Sequence, residues 1–320
     1  KTPVTLAQAE QIAAHHFGAQ CCLANFEELT DGYFNACYRI DLSDGARCVL
    51  KVAPPDGVRI LRYERDILRA EVETLRLVRA RTTAPVPQVL AHDTSRQVLA
   101  NDYFLMEFLP GVPLHKARPS LPPEAQAQID RQLGGYLRQI NEICGPCFGY
   151  FAKPQPQGVE WAQTFARMLG SVLEDGAAIG VVLPWPYEQF AALPRLGFAA
   201  LAEITQPRLV HWDLWDGNVF VDPENAQVTG LFDFERALWG DPLMETNFGY
   251  MAAEGSPFMQ GYGMAMLDTP NKRLRRRLYA IYLYLIMIIE CSYRNYENDQ
   301  QEKWSRAQLV RELEGLVDLD

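Results

Sequence analysis

The chain has 320 residues, 48% hydrophobic and 22% charged, a globular composition with room for two lobes of ~100–200 residues and unlike that of a disordered or fibrous protein. Thirty basic against forty acidic side chains leave a formal charge of −10, which disfavours nucleic acid and anionic membranes as partners but not cationic small molecules. Seven cysteines, at positions 21, 22, 37, 48, 144, 147 and 291, are too scattered for a secreted disulfide scaffold, so free thiols in a reducing cytoplasm are expected.

The first residues, Lys1-Thr2-Pro3-Val4, lack an apolar signal core. Leu6, Ile12, Ala13 and Phe17 then mark a short amphipathic helix. Apolar or aromatic runs at Cys22–Leu29, Phe34–Leu42 and Cys48–Val52 predict three strands separated by Thr-Asp-Gly and Ser-Asp-Gly turns. A long helical pattern follows through Ile60, Ile67, Leu68, Val72, Leu75 and Val78. Pro85-Val86-Pro87 ends any helix and leads into two more strands, Gln88–His92 and Tyr103–Phe108. Beyond Pro110-Gly111 helical periods dominate, apart from a strand-rich island between Arg208 and Phe232. The longest apolar run, Leu278 to Ile289, stops at Glu290, short of the roughly 18 residues needed to cross a bilayer. Lys272 to Arg277 before it reads as the solvated start of a buried helix. A sheet-plus-helix lobe over residues 1–109, joined to a larger helical lobe over 110–320, is the natural division.

The island carries the chemistry. It reads His211-Trp212-Asp213-Leu214-Trp215-Asp216-Gly217-Asn218, then two strands around the turn Pro223-Glu224-Asn225, then Leu231-Phe232-Asp233-Phe234-Glu235. Such a hairpin brings positions 218 and 233 to one end. An amide oxygen and a carboxylate there suit a hard cation such as Mg2+, which prefers oxygen ligands. Asp213 stands at the mouth of that arrangement, free to accept a proton from an alcohol.

This pattern resembles the aminoglycoside phosphotransferase and choline kinase family, whose members share the protein-kinase-like fold. His211–Asn218 matches the family's H-G-D-x-x-x-x-N, and Leu231–Phe234 matches its hydrophobic-Asp-aromatic motif. Val49-Leu50-Lys51-Val52 looks like the strand lysine that holds the α- and β-phosphates, and Phe104 to Gly111 looks like the linker that receives adenine. The resemblance spans roughly residues 30 to 245, in order. It implies an α+β, two-lobed protein-kinase-like fold, with an N-terminal antiparallel sheet plus helix and a mainly helical C-terminal lobe. It also implies an enzyme that transfers the γ-phosphate of ATP or GTP to a hydroxyl of an antibiotic-like or metabolite acceptor.

In that resemblance Asp213 is the catalytic base, while Asn218 and Asp233 hold Mg2+. Lys51 holds the phosphates, and its partner belongs on the following helix. Glu71, twenty residues on and next to Val72, is preferred to Glu64. The Glu107 carbonyl and the Leu109 N–H meet the adenine edge, with Met106 lining the space behind. His211 is expected to anchor the loop by hydrogen bonds. Asp241 before Pro242 reads as a helix cap that also steadies the catalytic loop.

Departures matter as much as matches. The family's glycine after His is Trp212, an indole placed to shape the acceptor site. The phosphate-covering segment Thr30 to Asn35 holds a single glycine. Leu214-Trp215 resembles the fructosamine kinases, but their Asp-Pro-Ala is Asp233-Phe234-Glu235 here. Asp216 and Glu235 flank the island, and the sequence leaves open whether they are surface acids or contacts to a cationic acceptor. Cys144-Gly-Pro-Cys147 has the letters of a redox pair, but it follows a helix end rather than opening a helix. It has no second pair of zinc ligands either. P-loop, H-E-x-x-H and G-x-S-x-G motifs are absent. A relative that only binds nucleotide has no need of a base, which argues for catalysis. The acids Glu235, Glu245, Glu254, Glu290 and Glu297, among Trp239, Tyr250 and Tyr293, are the candidates for receiving a cationic acceptor.

Overall fold

The structure is a computed structural model; it describes residues 1–30, 34–151, 158–263, 268–294 and 298–317. In chain order the elements begin with α1 (Leu6–Phe17), β1 (Leu23–Leu29), β2 (Ala36–Leu42) and β3 (Arg47–Val52), followed by α2 (Ile67–Arg81), β4 (Val89–Asp93) and β5 (Tyr103–Glu107). Then come β6 (Val112–Pro113), α3 (Leu114–Ala117), α4 (Pro123–Asn141), β7 (Gly149–Tyr150), α5 (Trp161–Ala178), α6 (Tyr187–Leu196) and α7 (Phe198–Ala202). The last part holds β8 (Arg208–Val210), β9 (Val219–Asp222), β10 (Gln227–Leu231), β11 (Leu238–Gly240), α8 (Asn247–Tyr250), α9 (Pro257–Tyr262), α10 (Pro270–Arg294) and α11 (Gln300–Val317).

The chain forms two compact units that exchange segments. The first comprises Lys1–Val58, Leu68–Ile129 and Asp216–Glu235; the second comprises Arg59–Ile67, Asp130–Trp215 and Arg236–Asp320.

In the first unit an antiparallel sheet runs β1-β2-β3-β5-β4. Strand β2 alternates buried and half-buried residues, as a strand with one face on a core must, while β3 at the centre is buried from Cys48 to Val52. Helix α1 starts at a capping box in which Thr5 and Gln8 satisfy each other's backbone N–H groups. Its Ala9, Ile12 and Ala13 join Ile40, Leu50, Val52 and Leu105 of the sheet in one core. A second, small sheet runs β10-β9-β6. Gly111 stands just before β6 at φ +126°, where a Cβ would lie 2.4 Å from Thr229 Oγ1 and 2.8 Å from the Val221 carbonyl oxygen. Both the backbone angle and the space therefore demand glycine after the linker.

The second unit is mainly helical, with a three-stranded sheet β7-β11-β8. Its interior is aromatic. Trp161 of α5 donates its indole N–H to the Tyr279 hydroxyl of α10 at 2.7 Å, and Tyr282 of α10 packs on Phe165 and stacks on Trp212. The apolar run 278–289 is thus a core helix face. Among the described residues no helix is long and apolar enough to cross a membrane.

Two sequence expectations need correcting. The helical period through Ile60 does not continue into α2: Arg62–Glu64 forms a short 3-10 turn, and Asp66 at φ +60° breaks the chain direction before Ile67. Glu64 closes that turn by accepting the Leu61 N–H at 2.8 Å. Leu6 and Phe17 are largely exposed rather than buried, so the apolar face of α1 is narrower than its composition suggests. Strands β6, β7 and β11 lie outside the strand-rich island; at two or three residues each they are too short to leave a pattern in the sequence.

Candidate active site

Lys51 sits in the central strand of the larger sheet, between Cys37 of β2 and Phe104 of β5. Its ammonium is 7% exposed and surrounded by carboxylates. Nζ lies 2.6 Å from Glu71 Oε2 on α2, 2.9 Å from Asp233 Oδ1 and 3.4 Å from Glu235 Oε2. Glu64 is elsewhere, paired with Arg294 in the second unit. The β9–β10 hairpin delivers the other two acids. Val219 pairs with Leu231, and the Phe232 N–H donates to the Asn218 carbonyl at 2.9 Å, so positions 218 and 233 lie at the same end of the hairpin. The hairpin's turn is locked by Asp222, whose carboxylate accepts the N–H groups of Glu224 and Asn225. Asp233 itself takes φ +66°, and Asn35 donates to Glu235 at 2.7 Å.

The electrostatics follow from burial. Desolvation pulls the Lys51 ammonium down, but Asp233, Glu71 and Glu235 more than reverse this, and the lysine is held protonated well above its ordinary range. Burial pushes the Glu71 carboxyl up to about 7, against the pull of Lys51. The Lys51 ammonium is shared by all three carboxylates. The carboxylate oxygens of Glu71, Asp233 and Glu235 lie within 4.8 Å of one another, and the Asn218 amide belongs to the same hairpin end. This all-oxygen donor set fits a hard divalent cation.

The loop carrying Asp213 is built by the second unit. After β8, the backbone N–H groups of His211 and Trp212 donate to the two oxygens of Glu245 at 2.8 and 2.9 Å. Asn141 donates to the same carboxylate at 3.0 Å and to the Leu209 carbonyl at 2.8 Å, and is itself held by the Tyr262 hydroxyl. Burial lifts Glu245 to about 7, opposed by these hydrogen bonds. The Asp213 N–H donates to His211 Nδ1 at 3.2 Å, which makes Nδ1 an acceptor and puts the proton of a neutral ring on Nε2. His211 is therefore an anchor of the loop. Asp213 remains half-buried.

Trp212 takes φ +64°, the left-handed region that favours glycine. Its indole is turned into the core, 1% exposed, stacked on Tyr282 at 5.2 Å and tilted against Tyr150 at 6.2 Å. The expectation that it shapes the acceptor site is corrected: the ring is core, and its stacking offsets the backbone strain. The brace expected from Asp241 is corrected likewise. Asp241 caps the following turn through the Leu243 N–H and bonds Arg275 and Tyr279, while Glu245 holds the loop. Nothing in the spacing distinguishes these two acids.

The remaining sequence candidates fall as follows. Met106 is buried in β5 opposite Val49. The Glu107 N–H donates to the Gln88 carbonyl at 2.8 Å, and its carboxylate accepts the Gln88 N–H at 3.1 Å. Leu109 is half-buried just beyond. Asp216 is paired with Arg118, Nη2 to Oδ1 3.1 Å. Of the acids considered for the acceptor, Glu235 and Glu245 are engaged as above, and Glu290 is buried and ion-paired with Arg236 at 2.7 Å. Glu254 is exposed, and Glu297 lies outside the described residues. Trp239 is buried, Tyr250 is exposed, and the Tyr293 hydroxyl donates to the Asp175 carbonyl. Asp31, Gly32 and Tyr33 of the expected phosphate-covering segment also lie outside the described residues. Cys144 and Cys147 are free thiols.

Comparison with known proteins gives a consistent picture. The model of the phosphotransferase enzyme family matches residues 25–278. The "probable ketoamine kinase" of Vibrio cholerae is 28% identical over 79% of this chain and 82% of its own length. Among solved structures, a thermostable mutant of aminoglycoside phosphotransferase APH(4)-Ia, in ternary complex with AMP-PNP and hygromycin B, superposes with a TM-score of 0.64 at 18% identity, covering 96% of this chain and 98% of that one. A "putative fructosamine-3-kinase" from Thermobifida fusca gives 0.66 at 19% identity, covering 96% and 100%. At these identities the structural likeness speaks for the protein-kinase-like α+β fold.

Proposed function

The chain belongs to the phosphotransferase enzyme family, and from that premise we propose that it transfers the γ-phosphate of ATP or GTP to a hydroxyl of a small, amine-bearing polyhydroxy acceptor. The observation that carries the reading is the ion cluster of buried Lys51 and Glu71 with half-buried Asp233 in a chain whose Asp213 loop is separately braced by Glu245. A lysine buried at the cost of two carboxylates is an expensive way to hold a sheet together. It suits a group kept cationic for phosphate oxygens.

In this reading Lys51 contacts the α- and β-phosphates and Glu71 fixes its position. Met106, Glu107 and Leu109 receive the adenine edge, the last two through backbone groups. Asn218 and Asp233 hold Mg2+, with Glu235 at hand; the ion supplies neutralisation of charge on the β- and γ-phosphates. Asp213 orients the acceptor hydroxyl and accepts its proton. The chemistry is positioning and charge neutralisation rather than covalent catalysis.

The acceptor class rests on the relatives: one is named for ketoamines, and a structural neighbour is described with hygromycin B. Amine-bearing polyols cover both. The test is nucleoside-diphosphate release from ATP and GTP, with and without Mg2+, against ketoamines, aminoglycosides, amino alcohols and neutral sugars. Mg2+-dependent turnover with an amine-bearing polyol is the expected result. Turnover only with neutral sugars would replace the acceptor class, and nucleotide binding without turnover on any acceptor would favour a binding-only relative.

A further inference from the structure

We propose that His15, His16 and Asp93 form a second metal site in the first unit, suited to a borderline transition-metal dication such as Zn2+ and separate from the Lys51 cluster. The site joins the end of α1 to the edge of the larger sheet. Both histidines lie in the last turn of α1, which the core packing of Ile12 and Ala13 holds against the sheet. Asp93 ends β4, directly opposite Tyr103 at the start of β5.

The carboxylate is already aimed. Its Oδ1 accepts the backbone N–H and the hydroxyl of Ser95, both at 2.7 Å. Its Oδ2 accepts the Tyr103 hydroxyl at 3.2 Å and faces His15 Nε2 at 3.7 Å and His16 Nε2 at 3.9 Å. The ligand atoms of the three residues all lie within 4.8 Å of one another. Ligands about 2.0–2.1 Å from a tetrahedral zinc stand about 3.4 Å apart, so the two histidine–aspartate separations need to close by only a few tenths of an ångström.

The chemistry of the donors selects the metal. Two imidazoles and one carboxylate suit Zn2+, Co2+ or Ni2+ and not Mg2+, which takes oxygen ligands. Ser95 and Tyr103 supply the outer hydrogen bonds that orient a ligating carboxylate. The Tyr103 hydroxyl also lies 3.0 Å from His16 Nε2; on metal binding it gives up that contact and keeps Asp93. His15, nearly half exposed, leaves the site open to solvent, with water as the fourth ligand. No sequence motif signals this group, because the histidines are adjacent and the aspartate is far away in the chain.

The test uses the full chain without an affinity tag, stripped of metal, with Co2+ as the spectroscopic probe. One equivalent is expected to bind, with the visible bands of a four-coordinate ion and no thiolate charge-transfer band. Zn2+ is expected to displace it, and excess Mg2+ is not. Zn2+ should also raise the melting temperature. His15→Ala, at a partly exposed position, should leave the metal-free melting temperature unchanged while weakening Co2+ binding at least about tenfold. Absence of stoichiometric binding, unchanged affinity in His15→Ala, or a thiolate band that puts the ion on cysteine would overturn the proposal.

Discussion

Lys51 is an ammonium nearly shut off from water, and its environment makes sense only with its partners present. Removing it takes away the ammonium that buried Glu71 and Glu235 and half-buried Asp233 share. Lys51→Met is therefore expected to lower stability at neutral pH by about 3–5 kcal/mol. Part of that loss should be regained as the pH is lowered and the stranded carboxyls protonate, because the neutral forms no longer repel one another. Urea unfolding of the variant and the parent across a pH series reads this directly; a pH-independent difference would mean that packing, not charge, dominates. Asp213 poses the opposite case, a residue whose surroundings place it without burying it. Asp213→Asn should reduce kcat by about 10²–10⁴ and leave nucleotide affinity nearly unchanged, since its proposed contact is with the acceptor. Calorimetric nucleotide titration alongside steady-state kinetics separates the two effects, and wild-type turnover would remove Asp213 from its role.

At the scale of elements, the hairpin β9–β10 and the loop after β8 do most of the positioning. The hairpin register alone brings Asn218 and Asp233 to one end, and the turn at Asp222 holds that register. The loop relies on Glu245, whose two oxygens take the His211 and Trp212 N–H groups. Burial raises this carboxyl from its ordinary value to about 7, so the folded state holds the proton more tightly than the unfolded state does. The associated stability is complete at pH below the unfolded value of about 4.3. It is lost as the pH rises through about 7. Glu245→Gln does not titrate. The stability of the parent relative to this variant should therefore fall across that window by on the order of 3 kcal/mol and level off above it. Denaturant midpoints at matched pH give the difference, and a flat difference would show that Glu245 ionises normally.

For the molecule as a whole, the net charge of −10 is the remaining electrostatic lever, because the individual acids first considered for the acceptor are mostly buried and engaged. A diffuse anionic field concentrates cationic acceptors at low ionic strength and is screened at high. KM for an amine-bearing acceptor should rise several-fold from low to high salt, while KM for a neutral sugar stays level. A salt-insensitive KM for the amine would mean that recognition is local, and would leave the phosphotransferase assignment intact.

The strands and helices of the first hundred residues, the hairpin that unites positions 218 and 233, and the placement of Lys51 on a strand beside Glu71 of the following helix were legible in the linear chain. They depend on local periodicity, turn chemistry and fixed spacing, which a sequence displays directly. The break at Asp66 was not legible, because Ile60 keeps the helical apolar spacing while the Glu64 contact with Leu61 closes a separate turn. Tertiary packing alone decided which acid braces the loop of Asp213, since the spacing of Asp241 and Glu245 along the chain does not show which of them meets the His211 and Trp212 N–H groups. It alone turned Trp212 inward, where stacking on Tyr282 compensates a backbone angle that glycine usually takes. It alone set His15 and His16 beside Asp93. Each of these depends on side chains distant in sequence meeting in a place shielded from water, where a hydrogen bond, a ring contact or a charge is strongest and where spacing along the chain carries no information.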